Sequence, residues 1–300
     1  MTSQSDALPV VIEAAITPFR RGEPVRDVEG TAANAIESIS AGAAIIHHHH
    51  DFRLGKEESI AEFIELGQKI LTAQPEAILY PDFIASPDFS EKISHFRPLA
   101  AAGTIGLLPI DPGAVAFAGY DDDGLPVQAN RFGTSFTEAQ EAVTVAHEVG
   151  LPVTIGVYEP GNLRFALAYA RAGKLPAGSM VKLYFAGDYS IYEIGKKALN
   201  FGLPPTKEAL DAYLSMLEGT DIAWNVGVMG GVTLETPIAR YALEKGGHIR
   251  VGTEDAAELT DATDAELVAE VVALAAEVGR PIARGDAARA VIGAPIPTRI

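Results

Sequence analysis

Short β-branched runs alternate with longer amphipathic stretches along the whole chain, and this alternation constrains the fold more than any other feature. Eight short apolar runs are predicted to be buried strands: 10–16, 43–46, 77–80, 105–108, 153–157, 180–185, 222–226 and 248–251. Apolar residues recur at helical spacing in the clearest of the intervening segments: 28–41, 60–71, 139–149, 207–217, 237–245 and 265–278. Repeated strand–helix units predict one parallel sheet, because a helix lets the chain return and start the next strand in the same direction.

About eight strands in 300 residues suit a closed barrel, since a (β/α)8 barrel, or TIM barrel, needs about 250 residues. We therefore expect a single (β/α)8 barrel domain over residues 1–300, with C-terminal helices at about 264–293. An open, doubly wound α/β sheet is the alternative. The polar, glycine-containing stretch 119–136 is too long for a simple connection and is predicted to be an active-site loop.

The composition argues against several classes of function. Hydrophobic residues make up 48% of the chain and charged residues 21%, which allows a large core. The formal net charge is −17 and no basic run is present, so we expect neither nucleic-acid nor membrane binding. No apolar run approaches the roughly 20 residues that span a bilayer, and residues 1–11 lack the pattern of a secretion signal. Cysteine is absent, which excludes disulfides and thiolate metal ligands and fits a cytoplasmic location.

Four consecutive histidines follow a predicted buried strand, in the segment AGAAIIHHHHD at 41–51. Because a strand alternates its side chains, His47 and His49 share one face while His48 and His50 share the other. Barrel active sites lie at the carboxyl ends of the strands, where the first pair would project. Neutral imidazole is a good zinc ligand, and catalytic zinc commonly takes three protein ligands and keeps one open position. The alternatives are a polar strand end or a chance run of histidines.

The segment GGHIRVGTED at 246–255 runs off the end of the last predicted strand. An anionic Glu254 would complete a metal site made of two histidines and one carboxylate. Arg250 offers a fixed cation for a substrate carboxylate, and Asp255 becomes a proton acceptor if Arg250 orients it. The alternative is that Arg250 and Asp255 form a structural ion pair.

These segments resemble the β-keto acid cleavage enzymes, a family whose founding activity cleaves 3-keto-5-aminohexanoate. The resemblance is carried by AGAAIIHHHH, GGHIRVGTED and ELVAEVVALAAEVGRPIARGDAARAVIG, and it extends from VVIEAAIT to the terminal helix. In the family an H-x-H follows a buried strand, and R-V-G-x-E-D lies near the C-terminus. The two motifs in this order are specific, whereas either one alone is weak.

The resemblance implies a TIM barrel that binds one zinc ion through His47, His49 and Glu254. It implies an enzyme that condenses a β-keto acid with acetyl-CoA, its co-substrate, to give acetoacetate and a new CoA thioester. Arg250 and Asp255 would work as a dyad in substrate activation, and zinc would act as a Lewis acid on the developing enolate. Relatives are usually homotetramers, so the resemblance also implies an oligomer.

The chain departs from the family pattern where substrate specificity would be set. Arg20 aligns with a glutamate that is thought to meet the amino group of the founding substrate, and Gly156 aligns with its acidic partner. Because a cation would repel an ammonium group, we predict a β-keto acid that is neutral or carries a second carboxylate. Asp82 replaces a serine, and Ala114 replaces a serine or threonine whose hydroxyl would orient the thioester.

The predicted substrate-binding residues are therefore Arg20, Asp82 and Glu13. Glu13, on the first strand, is alternatively a hydrogen-bond partner of a metal-ligand histidine or a cap of the barrel mouth. Asp111, in the D-P-G turn, is interpreted as structural. Two other functions stay open. One is a metal-dependent aldolase or lyase that acts on a keto acid without CoA. The other is a metal-binding barrel without turnover, which the missing hydroxyls at Asp82 and Ala114 would allow.

Overall fold

The computed structural model of the chain describes residues 7–20, 23–193 and 195–296, and both ends of the predicted 1–300 domain lie outside these ranges. Its strands are, in chain order, β1 Ile12–Ile16, β2 Ile45–His48, β3 Ile78–Pro81, β4 Leu108–Ile110, β5 Gly113–Tyr120, β6 Pro126–Thr134, β7 Val153–Val157, β8 Met180–Ala186, β9 Ala198–Leu199, β10 Ala223–Met229 and β11 His248–Val251.

The helices that connect these strands are α1 Val28–Ala41, α2 Lys56–Ala73, α3 Phe89–Lys92, α4 Phe96–Ala101, α5 Phe136–Val149, α6 Pro160–Arg171, α7 Lys207–Leu217, α8 Pro237–Glu244, α9 Asp264–Val278 and α10 Gly285–Ile292. Their ends follow local chemistry. Ser135 and Glu138 form a capping box at the start of α5, and that helix ends at Gly150 in the left-handed region, with φ at 71°. Over the described ranges, none of the helices combines the length and the apolar character needed to cross a membrane.

Eight of the strands form a parallel sheet that curves into a nearly closed barrel. Their hydrogen-bonded order is β3-β2-β1-β11-β10-β8-β7-β4. The backbone N–H groups of Gly106 and Leu107 donate to the carbonyl of Leu79 at 2.8 and 3.3 Å, which joins the chain ahead of β4 to the edge of β3. The predicted (β/α)8 barrel is therefore confirmed. Its fourth strand begins at Leu108, where the predicted run 105–108 ends.

The strand register brings both sequence motifs to one end of the barrel. Glu13 of β1 pairs with Arg250 of β11, and Ala15 of β1 pairs with His47 of β2. The strand with the histidines and the strand with the arginine thus flank β1 on its two sides. Because parallel strands share a direction, their carboxyl ends converge, and the residues that follow β2 and β11 meet there.

The predicted loop at 119–136 is wrong, because most of this stretch belongs to an antiparallel hairpin. Strand β5 pairs with β6 from Gly113↔Thr134 to Tyr120↔Pro126, and the short β9 adds a third strand. The polar residues form only the turn: Oδ1 of Asp121 accepts hydrogen bonds from the backbone N–H groups of Asp123 and Leu125, at 3.0 and 2.8 Å. An aspartate side chain that accepts a hydrogen bond from the backbone two residues further on is typical of a tight turn. The polar residues of this stretch therefore indicate a turn and not a long loop.

Candidate active site

A cavity of about 440 Å³ opens among the strand ends and the loops that follow them. Aromatic side chains form much of its wall, including Phe19, Phe52, Phe132, Tyr184 and Tyr192. Phe132 comes from the hairpin, so that segment does contribute to the cavity. Catalysis in (β/α)8 barrels occurs at the carboxyl ends of the strands, because eight strand ends and their loops converge there. We therefore take this cavity as the candidate active site.

His47, His49 and Glu254 converge in the wall of this cavity. The Nε2 atoms of His47 and His49 lie 3.4 and 3.1 Å from Oε2 of Glu254. The centroids of the two imidazole rings are 4.8 Å apart. Strand parity puts His47, on β2, and His49, the residue that follows β2, on the same side, and the turn after β11 carries the glutamate to the same point. The structure thus brings together the three residues that the sequence motifs single out.

These three side chains fit a divalent cation. Nε2 of His49 and Oε2 of Glu254 are buried and have no hydrogen-bond partner within the described residues. Burial lowers the pKa of His49, but the charges of Glu254 and Asp82 raise it to about 10. Burial raises the pKa of Glu254, but His49, His47 and Arg250 hold it well below its usual value. A negative field around two imidazole nitrogens and a carboxylate oxygen suits zinc, which prefers these donors.

Asp82, a predicted substrate-binding residue, contacts His49 from the other side of the ring. Its Oδ2 lies 3.1 Å from Nδ1 of His49, and its side chain also lines the cavity. Burial raises the pKa of Asp82, but His49 lowers it to about 2. His47, His49 and Asp82 also offer ligand atoms within 4.8 Å of one another. Because Nε2 of both histidines faces Glu254, the geometry favours Glu254 as the third ligand and Asp82 as the group that orients His49.

Arg250 is fully buried and forms the predicted pair with Asp255. Its Nε and Nη2 donate to the two carboxylate oxygens of Asp255 at 2.7 and 2.9 Å. Nη2 also lies 3.2 Å from Oε2 of Glu254. Neither Arg250 nor Asp255 is among the described residues that line the cavity. The pair therefore bears on the cavity through Glu254, from behind its wall.

Glu13 lies beneath the cavity and is 1% exposed. Its Oε1 accepts hydrogen bonds from Nη1 of Arg250 at 2.6 Å and from the hydroxyl of Tyr80, and its Oε2 accepts one from Nδ2 of Asn225 at 2.7 Å. Protein donors thus occupy both carboxylate oxygens, and within the described residues none of these donors is a histidine. Glu13 neutralises Arg250 below the site, whereas the sequence analysis placed it against the substrate.

Lys182 is a candidate functional residue that the sequence analysis missed. It projects from β8 across the barrel, so that Nζ donates to the hydroxyl of Tyr80 on β3 at 3.0 Å. Nζ also lies 4.6 Å from the centre of the Tyr80 ring, and the side chain lines the cavity. Burial lowers the pKa of Lys182, although Glu13 opposes this shift. The available signal was a lysine inside an otherwise apolar strand, 180–185.

Arg20, predicted to meet the substrate, lies in the segment after β1 and lines the cavity. Its Nη1 and Nη2 donate to the backbone carbonyls of Ala262 and Thr260, at 3.4 and 3.3 Å. These two bonds hold the guanidinium at the wall. Arg20 therefore presents a fixed cation to whatever occupies the cavity.

The turn that carries Glu254 is held from behind by the first residue of α9. Asp264 accepts a hydrogen bond from the backbone N–H of Thr253 at 2.7 Å and another from Nδ2 of Asn34 at 2.7 Å. Within the same turn, Ala257 has a φ of 50°, in the left-handed region that side chains with a Cβ disfavour. This backbone strain lies beside the proposed ligand, and Asp264 helps to keep the turn in place.

Comparison with known proteins identifies relatives along most of the chain. The sequence profile described as beta-keto acid cleavage enzyme matches residues 9–293. A 3-keto-5-aminohexanoate cleavage enzyme of Acetoanaerobium sticklandii is 25% identical over 271 residues, with 89% of each chain covered. One of Fusobacterium nucleatum is 26% identical over 277 residues, with 88% of this chain and 89% of the relative covered. The resemblance inferred from the two motifs is thereby confirmed.

A third relative matches over a shorter segment. A 3-oxoadipate:acetyl-CoA acetyltransferase of Cupriavidus necator is 38% identical over 99 residues, which cover 31% of this chain. The match spans only 34% of that relative's length.

Solved structures share the fold at low sequence identity. A binary complex of ObcA with oxaloacetate has a TM-score of 0.61 and 14% identity; the match covers 88% of this chain but only 65% of that one. A type I 3-dehydroquinate dehydratase of Clostridium difficile has a TM-score of 0.56 and 13% identity, over 91% of this chain and 94% of that one. At such identities the likeness shows the TIM-barrel fold alone.

Proposed function

Since this chain belongs to the beta-keto acid cleavage enzyme family, we propose that it condenses a β-keto acid with acetyl-CoA and releases acetoacetate and a new acyl-CoA. In this reaction the α-carbon and the carboxylate of the substrate move to the acetyl group. The CoA sulfur takes the acyl group that remains. Atoms balance between the two substrates and the two products, with no oxidant and no water consumed.

The observation that carries this proposal is the convergence of His47, His49 and Glu254 in one cavity wall, with Nε2–Oε2 distances of 3.4 and 3.1 Å. We propose that these side chains hold one zinc ion. Bound there, zinc would supply Lewis-acid stabilisation of a substrate oxygen on which negative charge develops. The loss of one proton from the α-carbon creates that charge, since β-keto acids react through their enolates.

The residues around the ligands would keep them in place. Oδ2 of Asp82 lies 3.1 Å from Nδ1 of His49, so with the metal bound it would take the Nδ1 proton and leave Nε2 of His49 to the metal. Arg250 is fixed by Asp255 and Glu13, so its Nη2 stays 3.2 Å from Oε2 of Glu254. In this proposal the Arg250–Asp255 dyad supports the carboxylate ligand, and any direct proton transfer by Asp255 stays a prediction.

We propose a substrate whose far end carries a second carboxylate. Arg20 lines the cavity and has a fixed orientation, and the planar guanidinium suits a carboxylate. A substrate with an ammonium at this end would be repelled. The relative named for 3-oxoadipate, a β-keto acid with a second carboxylate, supports this choice, although it matches only 99 residues. We therefore place 3-oxoadipate first among the β-keto acids to test.

The test begins with protein purified without a histidine tag and without added metal. Bound metals are measured by ICP-MS in the wild type and in His47→Ala and Glu254→Ala, alongside Asp123→Asn on the exposed hairpin turn as a control. Formation of acetoacetate and of the new acyl-CoA is then followed by mass spectrometry, with 3-oxoadipate and 3-oxopentanoate as substrates and with or without acetyl-CoA. We expect about one zinc per chain, lost in both site variants, and turnover only with acetyl-CoA.

Three outcomes would contradict the proposal. Cleavage that proceeds equally well without acetyl-CoA would make the protein a lyase. Zinc binding without turnover of any β-keto acid would leave a metal-binding barrel. A wild type that takes up no metal even after zinc reconstitution would overturn the metal site itself.

A further inference from the structure

Lys182 is a buried cation of the cavity wall to which none of the roles above gives a ligand. It projects from β8, is 3% exposed and lines the cavity. Within the described residues its Nζ donates one hydrogen bond, to the hydroxyl of Tyr80 at 3.0 Å. An ammonium group has three N–H donors. The other two N–H groups of Lys182 are therefore available to a molecule in the cavity.

The hydroxyl of Tyr80 holds Nζ in place. This hydroxyl donates to Oε1 of Glu13, and it accepts hydrogen bonds from Nη1 of Arg250 at 2.9 Å and from Nζ of Lys182. A hydroxyl has one hydrogen to donate and two lone pairs, so its hydrogen-bonding capacity is fully used. Nζ of Lys182 is thus tied to a fixed group of the barrel interior, and its position is set before any ligand binds.

No carboxylate of the described residues forms a salt bridge with Lys182. Glu13, the anion that acts most strongly on Lys182, gives Oε1 to Arg250 and Tyr80 and gives Oε2 to Asn225. Burial lowers the pKa of Lys182, because a buried charge without a close counter-charge is costly. A carboxylate bound at Nζ would offset this cost, so the site favours an anionic ligand.

Lys182 lies close to one of the proposed metal ligands. The ring of Tyr80 stacks on the ring of His47, with centroids 4.6 Å apart and planes inclined by 24°. Nζ of Lys182 lies 4.6 Å from the centre of the same Tyr80 ring. Both side chains therefore contact one aromatic ring, which places the ammonium beside the group of proposed ligands.

Arg20 occupies a different part of the cavity wall. Its guanidinium is held by the carbonyls of Thr260 and Ala262, in the segment after β11. In a β-keto acid a single carbon separates the keto carbon from the carboxyl carbon. A substrate with its keto oxygen at the proposed ligands therefore has this carboxylate near them too, within the region of Lys182. A second carboxylate at the far end of the substrate is then left for Arg20.

We propose that Lys182 binds the carboxylate on the α-carbon of the substrate, through an ion pair and hydrogen bonds from Nζ. Every β-keto acid has this carboxylate, which stays on the α-carbon when acetoacetate forms. The same contact therefore serves the substrate and the product. This inference rests on the proposed function for its ligand class, a β-keto acid, and it goes beyond that function in assigning the shared carboxylate to a cation of this chain.

The test measures binding and needs no turnover. Isothermal titration calorimetry gives the dissociation constants of acetoacetate and of methyl acetoacetate, which has the same skeleton without the charge. Neither ligand has a second carboxylate for Arg20. In Lys182→Met the dissociation constant of acetoacetate should rise by about tenfold to a hundredfold, the effect of losing a charged hydrogen-bond donor. That of the ester should stay within about twofold, because it offers no anion to Lys182.

Two controls separate ligand binding from a structural role. Lys174→Met removes an exposed lysine and should leave both dissociation constants unchanged. The zinc content of Lys182→Met should stay that of the wild type, because the ring of Tyr80 still stacks on His47. If Lys182→Met does not fold, Lys182→Gln, which keeps a donor but loses the charge, is measured in the same way. The wild type alone supplies a further test, since it should bind acetoacetate more tightly than the ester.

Several results would overturn the role of Lys182. Equal affinities of the wild type for acetoacetate and its ester would do so, and so would an equal loss of affinity for both ligands in Lys182→Met. Trapping of acetoacetate on Lys182 by sodium cyanoborohydride would show an imine with the keto carbon instead of an ion pair. If the ion pair is found but no β-keto acid yields an acyl-CoA, the proposed function fails while this inference stands.

Discussion

Asp82 and Glu254 contact opposite nitrogens of the same imidazole: Oδ2 of Asp82 lies 3.1 Å from Nδ1 of His49, and Oε2 of Glu254 lies 3.1 Å from Nε2. A ring between two carboxylates can give only one nitrogen to a metal. When Asp82 accepts the Nδ1 proton, the tautomer that exposes Nε2 is favoured, and the ring is fixed toward the same point as His47. Asp82 would therefore act through His49.

We predict that Asp82→Asn weakens zinc binding by about tenfold to a hundredfold, because an amide no longer offers a carboxylate to the Nδ1 proton. Competition with a chelator of known affinity measures this change without reference to activity. Cobalt substitution adds a second test, since the visible spectrum reports the ligand set. A weaker affinity with an unchanged spectrum is expected.

The opposite arrangement has its own signature. If Asp82 is itself the third ligand, its removal will change the cobalt spectrum, while Glu254→Gln will leave the spectrum as it was. Unchanged affinity in Asp82→Asn would contradict both arrangements. Asp123→Asn, on the exposed hairpin turn, serves as the control for the loss of one negative charge.

We predict that Arg250→Met destabilises the protein by about 3–5 kcal/mol, because it leaves Glu13 and Asp255 as buried anions without their counter-charge. The measurement is urea unfolding at pH 7 after metal removal, so that lost metal binding does not add to the change. Arg53→Ala breaks the exposed pair with Asp51 and should have no measurable effect. Equal stability of wild type and Arg250→Met would refute the network described here.

The sequence could predict that His47, His49 and Glu254 converge because its signals are local. Strand parity puts His47 and His49 on one face, and in a (β/α)8 barrel the last strand lies next to the first. Once the barrel fold is known, Glu254 is therefore expected to lie near the two histidines. The contact between Lys182 and Tyr80 has no such local signal, because the two residues meet across the barrel and only the folded interior shows that one side chain reaches the other.

Two aspartate-containing segments were harder to interpret, because an aspartate can form a turn or can take part in a functional site. The aspartates at 121–123 were taken as part of a long loop, yet they form the turn of a hairpin. Asp111 was interpreted as structural because its D-P-G setting is typical of turns, and this interpretation stays a prediction although its side chain lines the cavity. Only the cavity shows which side of the turn its carboxylate faces. The tetramer implied by the family resemblance stays a prediction.

We predict that Arg20→Gln raises the KM for 3-oxoadipate by about tenfold to a hundredfold, the effect of losing one charged hydrogen-bond donor to a carboxylate. The KM for 3-oxopentanoate, which has no second carboxylate, should stay within about twofold, because Arg20 has no charge to meet there. Steady-state kinetics with saturating acetyl-CoA measures both values. An equal rise for both substrates would show that Arg20 positions the loop and does not select the substrate.

The last prediction concerns His248, at the amino end of β11 and so at the opposite end of the barrel from the ligands. Its Nδ1 accepts a hydrogen bond from the backbone N–H of Val11 at 3.2 Å, which requires a neutral ring. Burial, and to a lesser extent Arg280, lowers the pKa of His248 to about 3, against about 6.5 in the unfolded chain. Above pH 6.5 the histidine is neutral in both states, and its contribution to stability is fully present.

As the pH falls below about 6.5, His248 becomes protonated in the unfolded state but stays neutral in the folded state. The free energy of unfolding therefore decreases until the pH approaches 3. Between pH 6.5 and 5 this loss amounts to about 2 kcal/mol.

His248→Gln keeps an acceptor for Val11 but does not titrate. The difference in unfolding free energy between wild type and variant should therefore shift by about 2 kcal/mol in favour of the variant over this interval. Urea unfolding at several pH values measures it, with His147→Gln on the surface as a matched control. A difference that stays constant with pH would mean that His248 is protonated equally easily in both states, and the buried, neutral ring that accepts from Val11 would be contradicted.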